Sequence, residues 1–133
     1  MSLRKPKTPV ASKLTSYPIG SFIETELGYF YILSDTKRLR FLSKRVLDSW
    51  KPPRVILTSE KAVAKYKISS KMKFRNGTLI HNISDGRIFL IEESKKRHIT
   101  NPDVLTNIGA SLKDVVTVSI DEYNLHETGE NLN

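Results

Sequence analysis

An internal repeat is the feature that most constrains what this chain can fold into. Tyr17-Pro18-Ile19-Gly20-Ser21-Phe22-Ile23 lies over Phe74-Arg75-Asn76-Gly77-Thr78-Leu79-Ile80. Each segment reads as an aromatic residue, two residues, glycine, a small hydroxyl residue and two apolar residues. Tyr29–Leu33 lies over Arg87–Ile91 once one extra residue near Gly86 is allowed, and Thr36–Ser43 lies over Ser94–Asn101. Val46-Leu47 then matches Val104-Leu105, and Val55–Ser59 matches Val115–Ser119, the offset growing from 57 to 60 residues. Identities are few, but the order of residue classes is kept. A unit this small buries only about 60% of its unfolded surface. The two copies are therefore expected to pack together.

Each copy carries the same local signals. Ser21–Thr25 and Thr78–Asn82 read as a first strand, and Tyr29–Leu33 and Arg87–Glu92 as a second. Gly28 and Ser84-Asp85-Gly86 mark the turns between them. Lys37–Leu42 and Lys95–Ile99 read as a third strand, in which Leu39 and Phe41 alternate with Arg38 and Arg40. Ser43 and Asn101 are N-cap residues, the latter followed by Pro102 and Asp103. Gly109, and Lys51-Pro52-Pro53 in the first copy, end those helices. Arg54–Thr58 and Asp114–Ser119 are short strands. Ser59-Glu60 opens a helix running to about Tyr66, and Ser119-Ile120-Asp121-Glu122 fits a capping box. The expected fold is α+β, two duplicated β-β-β-α-β-α units over 17–72 and 73–133, the second with a short C-terminal tail. Residues 1–16, with Pro6 and Pro9, read as an extended arm. The expected core is Phe22, Ile32, Phe41, Leu47, Val55 and Leu57, with Leu79, Leu90, Ile99, Leu105, Val116 and Val118.

Charge is distributed unevenly along the chain. Residues 1–16 hold Arg4, Lys5, Lys7 and Lys13 and no acid. Residues 17–72 carry eleven Lys/Arg against five Asp/Glu, and residues 73–133 seven against nine, for a total of +8. A basic front and an acidic back suggest an anionic partner for the first half, or head-to-tail self-association. No apolar run approaches the ~20 residues of a membrane span. No apolar segment follows the basic N-terminus, so no secretion signal is expected. With no cysteine, disulfides, Cys-ligated metals and cysteine nucleophiles are excluded.

Catalytic chemistry has little support. His81, His98 and His126 have no metal-ligand spacing and read as surface residues. Glu92 and Glu93 are adjacent on a strand and point to opposite faces, so they cannot flank one bond. No nucleophile elbow or glycine-rich phosphate loop occurs. The reading is a non-enzyme with no catalytic residues, cofactor or metal. The stronger feature is basic. Lys37, Arg38 and Arg40 fall at positions equivalent to Lys95, Lys96, Arg97 and His98, as a cationic patch present twice. Tyr29, Tyr31, Phe41 and Trp50 lie near, and basic plus aromatic suits single-stranded nucleic acid. Against that, Tyr31 and Phe41 can be core, with the lysines guarding a strand edge.

The series Gly77-Thr78-Leu79-Ile80, Ile88-Phe89-Leu90-Ile91-Glu92, Lys95-Lys96-Arg97-His98-Ile99, Pro102-Asp103-Val104-Leu105, Gly109 and Val115-Val116-Thr117-Val118-Ser119 resembles a short tandem repeat of bacterial surface and phage proteins. Residues 74–123 resemble it well and 17–66 in outline. In the first copy Arg97-His98-Ile99 becomes Leu39-Arg40-Phe41, and Gly109 is replaced near Lys51-Pro52. The resemblance implies a non-catalytic module. Together these readings predict a structural or interaction protein, part of an oligomer, binding other protein subunits. A bacteriophage virion component (tail, connector or capsid accessory protein) made in the host cytoplasm is the leading expectation. The alternatives are a cytoplasmic nucleic-acid-binding protein using the basic first half, and a cell-surface or cell-wall binding module. Arg4, Lys5, Lys7 and Lys13 are expected to form an arm that orders on assembly.

Overall fold

The structure is a computed structural model that describes residues 16–133. The arm expected over 1–16, with its four cations, lies outside the described residues apart from Ser16. The chain divides into two compact units between Met72 and Lys73.

Unit 1 contains β1 (Phe22–Thr25), β2 (Phe30–Leu33), β3 (Lys37–Phe41), α1 (Lys44–Ser49), β4 (Ile56–Thr58), α2 (Glu60–Val63) and β5 (Lys67–Ile68). Unit 2 contains β6 (Leu79–Asn82), β7 (Ile88–Glu92), β8 (Lys95–His98), α3 (Pro102–Asn107), β9 (Val115–Val118), α4 (Ile120–Tyr123) and β10 (Glu127–Thr128), with a 3₁₀ turn at Leu112–Asp114. The sheets run β4-β1-β2-β3-β5 and β9-β6-β7-β8-β10. In each, the central three strands form an antiparallel meander and both outer strands pair in parallel. The fold is α+β, and the two halves share one connectivity.

Each unit has one strand more than the sequence signals suggest. Lys67–Ile68 follows the helix read as running to about Tyr66, where no element is expected, and Glu127–Thr128 lies in what reads as a tail. Both strands are two exposed residues long, so no apolar alternation announces them. Backbone bonds hold them instead. Lys67, Ser69 and Met72 N–H donate to the carbonyls of Thr36, Arg38 and Arg40, and Gly129 and Leu132 donate to Lys96 and His98.

The helices have four to six residues, too short to persist without tertiary support. Their caps are those the sequence offers. Ser43 and Ser59 accept from Val46 and Ala62 N–H, and Asn101 accepts from Asp103 N–H. Ser119 and Glu122 form a capping box. The helix read as running to about Tyr66 stops at Val63.

The expected core needs correction. Phe41, Leu47, Leu79, Ile99, Leu105 and Val118 are buried. Phe22, Ile32, Val55, Leu90 and Val116 are only half-buried, and Leu57 is 44% exposed. Fully enclosed instead are Ile23, Tyr31 and Leu33, with Ile80, Phe89 and Ile91. The reason is that apolar residues occupy both faces of the sheets. In unit 2, Leu79 and Leu90 pack with Val104 and Leu105 of α3, while Phe89 on the opposite face meets Tyr123 of α4 edge-on at 5.3 Å. In unit 1, Ile23, Tyr31 and Leu33 pack with Val63 of α2 and with Tyr17 and Tyr66. Phe22 stacks on Phe41 on the other face. A one-sided alternation cannot describe strands that are apolar on both sides.

Candidate interaction surface

The cationic strands β3 and β8 are central to this region, because β5 and β10 dock on them. Alternation divides their residues between faces. Arg38 and Arg40 share one face of β3, and Lys96 and His98 share the equivalent face of β8. Lys37, Lys95 and Arg97 lie on the opposite faces. The compact patch expected from sequence is therefore not formed as such.

Arg38 turns inward. Its side chain is 11% exposed and its guanidinium bonds Glu60 at 3.1 Å. The same carboxylate accepts from Thr25 Oγ1 at 2.6 Å and from the Tyr31 hydroxyl at 3.0 Å. Burial first, then the bond to Glu60, pushes the Tyr31 phenol up to about 12. In unit 2 the equivalent positions are Lys96, Ile120, Asn82 and Phe89, so no carboxylate stands where unit 1 has Glu60. Lys96 is buried nonetheless, 4% exposed. Its ammonium donates to the Tyr123 carbonyl at 2.9 Å and sits 3.4 Å from that ring's centroid. Burial lowers its pKa, with Arg87 adding to the effect. Arg38 and Lys96 are thus interior anchors that tie the third strand to the second helix of each unit.

Arg97 is held by Glu92 and by the carbonyls of Glu130 and Asn131. His98 packs on Phe89 at 5.4 Å. The Arg40 guanidinium lies 3.8 Å over the Tyr29 ring. Tyr31 and Phe41 are buried, so neither is a bare stacking platform for bases. The histidine reading is corrected at one position. His126 is 2% exposed, because it is the second copy's counterpart of Tyr66 in the core.

Lys37 remains exposed and leads to residues that the sequence reading did not single out. Its Cα partner on β5 is Lys67, and Lys65 and Lys71 are also exposed. In unit 2 the same register pairs Lys95 with Glu127, and Glu130 is exposed nearby. The rim formed by the last strand is therefore basic in unit 1 and carries acids in unit 2. Carrying the repeat alignment onward at its final offset sets Lys67-Ile68 over Glu127-Thr128, a signal that could have found both strands.

At the opposite rim of unit 1, a groove of about 370 Å³ lies beside β4, lined by Pro18, Ile19, Phe22, Pro53, Arg54 and Ile56 among others. Among the described residues there is no cluster of three or more His, Asp or Glu able to hold a metal ion. No helix among them is long and apolar enough to cross a membrane.

No protein-family model matches the chain, and no characterised protein matches it in sequence. It is similar to one chain of the "Structure of the periplasmic assembly from the ESX-5 inner membrane complex, C1 model", at 12% identity and a TM-score of 0.34. The match covers 99% of this chain and 43% of that one, so this chain spans less than half of that length. A likeness this slight carries no argument about function.

Proposed function

We propose that this protein is a non-enzymatic interaction module of a multi-subunit assembly, and that the β5 rim of unit 1 docks on an anionic protein surface. The observation that carries this reading is the Lys37–Lys67 pairing. Like charges side by side on neighbouring strands are destabilising. Unit 2, with the same fold, places a glutamate opposite its lysine. Unit 1 tolerates the repulsion and adds Lys65 and Lys71 to the same end. An anionic partner relieves that repulsion. On the repeat resemblance, the assembly is a phage particle built in the host cytoplasm.

The test uses the full chain and two polyanions, poly-glutamate and a single-stranded oligonucleotide, titrated over a salt series. Binding to poly-glutamate that Lys67→Glu together with Lys71→Glu abolishes is the expected result. A much stronger grip on the oligonucleotide, lost with the steep salt slope of phosphate binding, would favour the nucleic-acid function instead. Binding of neither polymer removes the proposal.

A further inference from the structure

Resting on the reading of the β5 rim as a docking surface, we infer that its anionic partner is the β10 rim of a second copy of this chain, so that copies join head to tail. β5 and β10 are equivalent strands of one repeated fold, and each ends its sheet. Each directs one row of backbone groups inward, to β3 or β8. An outer strand leaves its other row available for pairing with another chain. On β5 the rim also exposes Ile68, at 66%, between Lys67 and Lys71.

The charges select which pairing can occur. β5 against β5 sets Lys67 and Lys71 beside their own copies. β10 against β10 sets Glu127 and Glu130 beside theirs. Only β5 against β10 brings opposite signs together. Repulsion against the two symmetric arrangements, combined with attraction in the mixed one, is how specificity is built at an interface. The contact is heterologous, so it closes into a ring or continues as a filament.

Sedimentation velocity on the full chain tests this with two double variants, Lys67→Glu/Lys71→Glu and Glu127→Lys/Glu130→Lys. All four positions are exposed, and unchanged thermal melts check that both variants fold. Wild type should self-associate at low salt and dissociate as salt screens the contact. Each variant alone should associate about tenfold more weakly. An equimolar mixture should regain association, because each variant now complements the other. Wild type that stays monomeric at every concentration and salt overturns the inference, as does association that both variants retain. Monomeric wild type that still binds poly-glutamate through Lys67 and Lys71 would leave the docking reading standing and remove only the second copy as its partner.

Discussion

His126 should make unit 2, and not unit 1, sensitive to mild acid. In unit 1 the Tyr17 N–H donates to the Tyr66 hydroxyl at 2.9 Å. In unit 2 the Phe74 N–H donates to His126 Nε2 at 3.0 Å. The second ring nitrogen, Nδ1, lies 2.7 Å from the Ser94 carbonyl, to which it donates. Both bonds exist together only in the neutral imidazole with its proton on Nδ1. A proton on Nε2 would replace the acceptor with a second donor aimed at the Phe74 amide. It would also add charge to a ring stacked on Phe74. Burial holds the His126 pKa below its ordinary value; the Ser94 bond opposes this, while Lys73 and Lys96 push in the same direction as burial. The unfolded state therefore takes up its proton first. Stability is full above the unfolded value of about 6.5 and is lost as pH falls from there through the lower folded pKa. Orphaning the Phe74 amide costs about 1–3 kcal/mol. Hydrogen exchange read as protection factors gives the assay. Between neutral and mildly acidic pH the Phe74 amide should lose protection while the Tyr17 amide keeps it, and His126→Tyr should make the two behave alike. Parallel behaviour of the two amides in wild type would refute the reasoning.

Three further outcomes are expected. Glu60→Ala leaves Arg38 buried without its carboxylate and should destabilise unit 1 by about 2–3 kcal/mol. In the same variant the Tyr31 phenol, followed by ultraviolet titration, should fall from about 12 yet stay raised, since burial is the larger cause. Lys51 adopts φ +48 where Gly109 stands at φ +78 in the second copy. Lys51→Gly should therefore raise stability by about 1 kcal/mol in chemical denaturation, and Gly109→Ala, with open space around the added carbon, should lower it by a similar amount. Ile23→Ala should cost about 2–5 kcal/mol and Ile32→Ala clearly less, which denaturation midpoints of the two variants will show.

The duplication and the helix caps were legible because they depend on local chemistry that recurs at a fixed spacing. Ser43, Ser59, Asn101 and Ser119 each need only a neighbouring amide. The faces of the strands were less legible. In Phe22-Ile23 and Leu79-Ile80 both neighbours are apolar, and nothing local says which helix each will meet. Arg38 and Lys96 sit among other cations, so the sequence groups them with a surface from which the fold withdraws them. Their inward turn depends on Glu60 and Tyr123, which arrive from a later helix. The rim strands were hidden for a further reason. Lys67 and Glu127 pair through backbone, whatever their side chains, and only the persistence of the repeat marks them.

The parallel outer strands also set an order of events in time. β1, β2 and β3 are joined by short turns, so a meander can form as soon as those residues leave the ribosome. β4 and β5 must return across a helix before they dock, and such non-local pairings form late. Until Met72 reaches Phe41, as it does in the finished fold, β3 is itself a bare edge carrying Lys37, Arg38 and Arg40. A nascent or partly unfolded chain thus displays for a time the same cationic strand whose Arg38 the mature unit locks against Glu60. Chaperones and proteases that recognise exposed basic strands would meet this protein most readily in that interval.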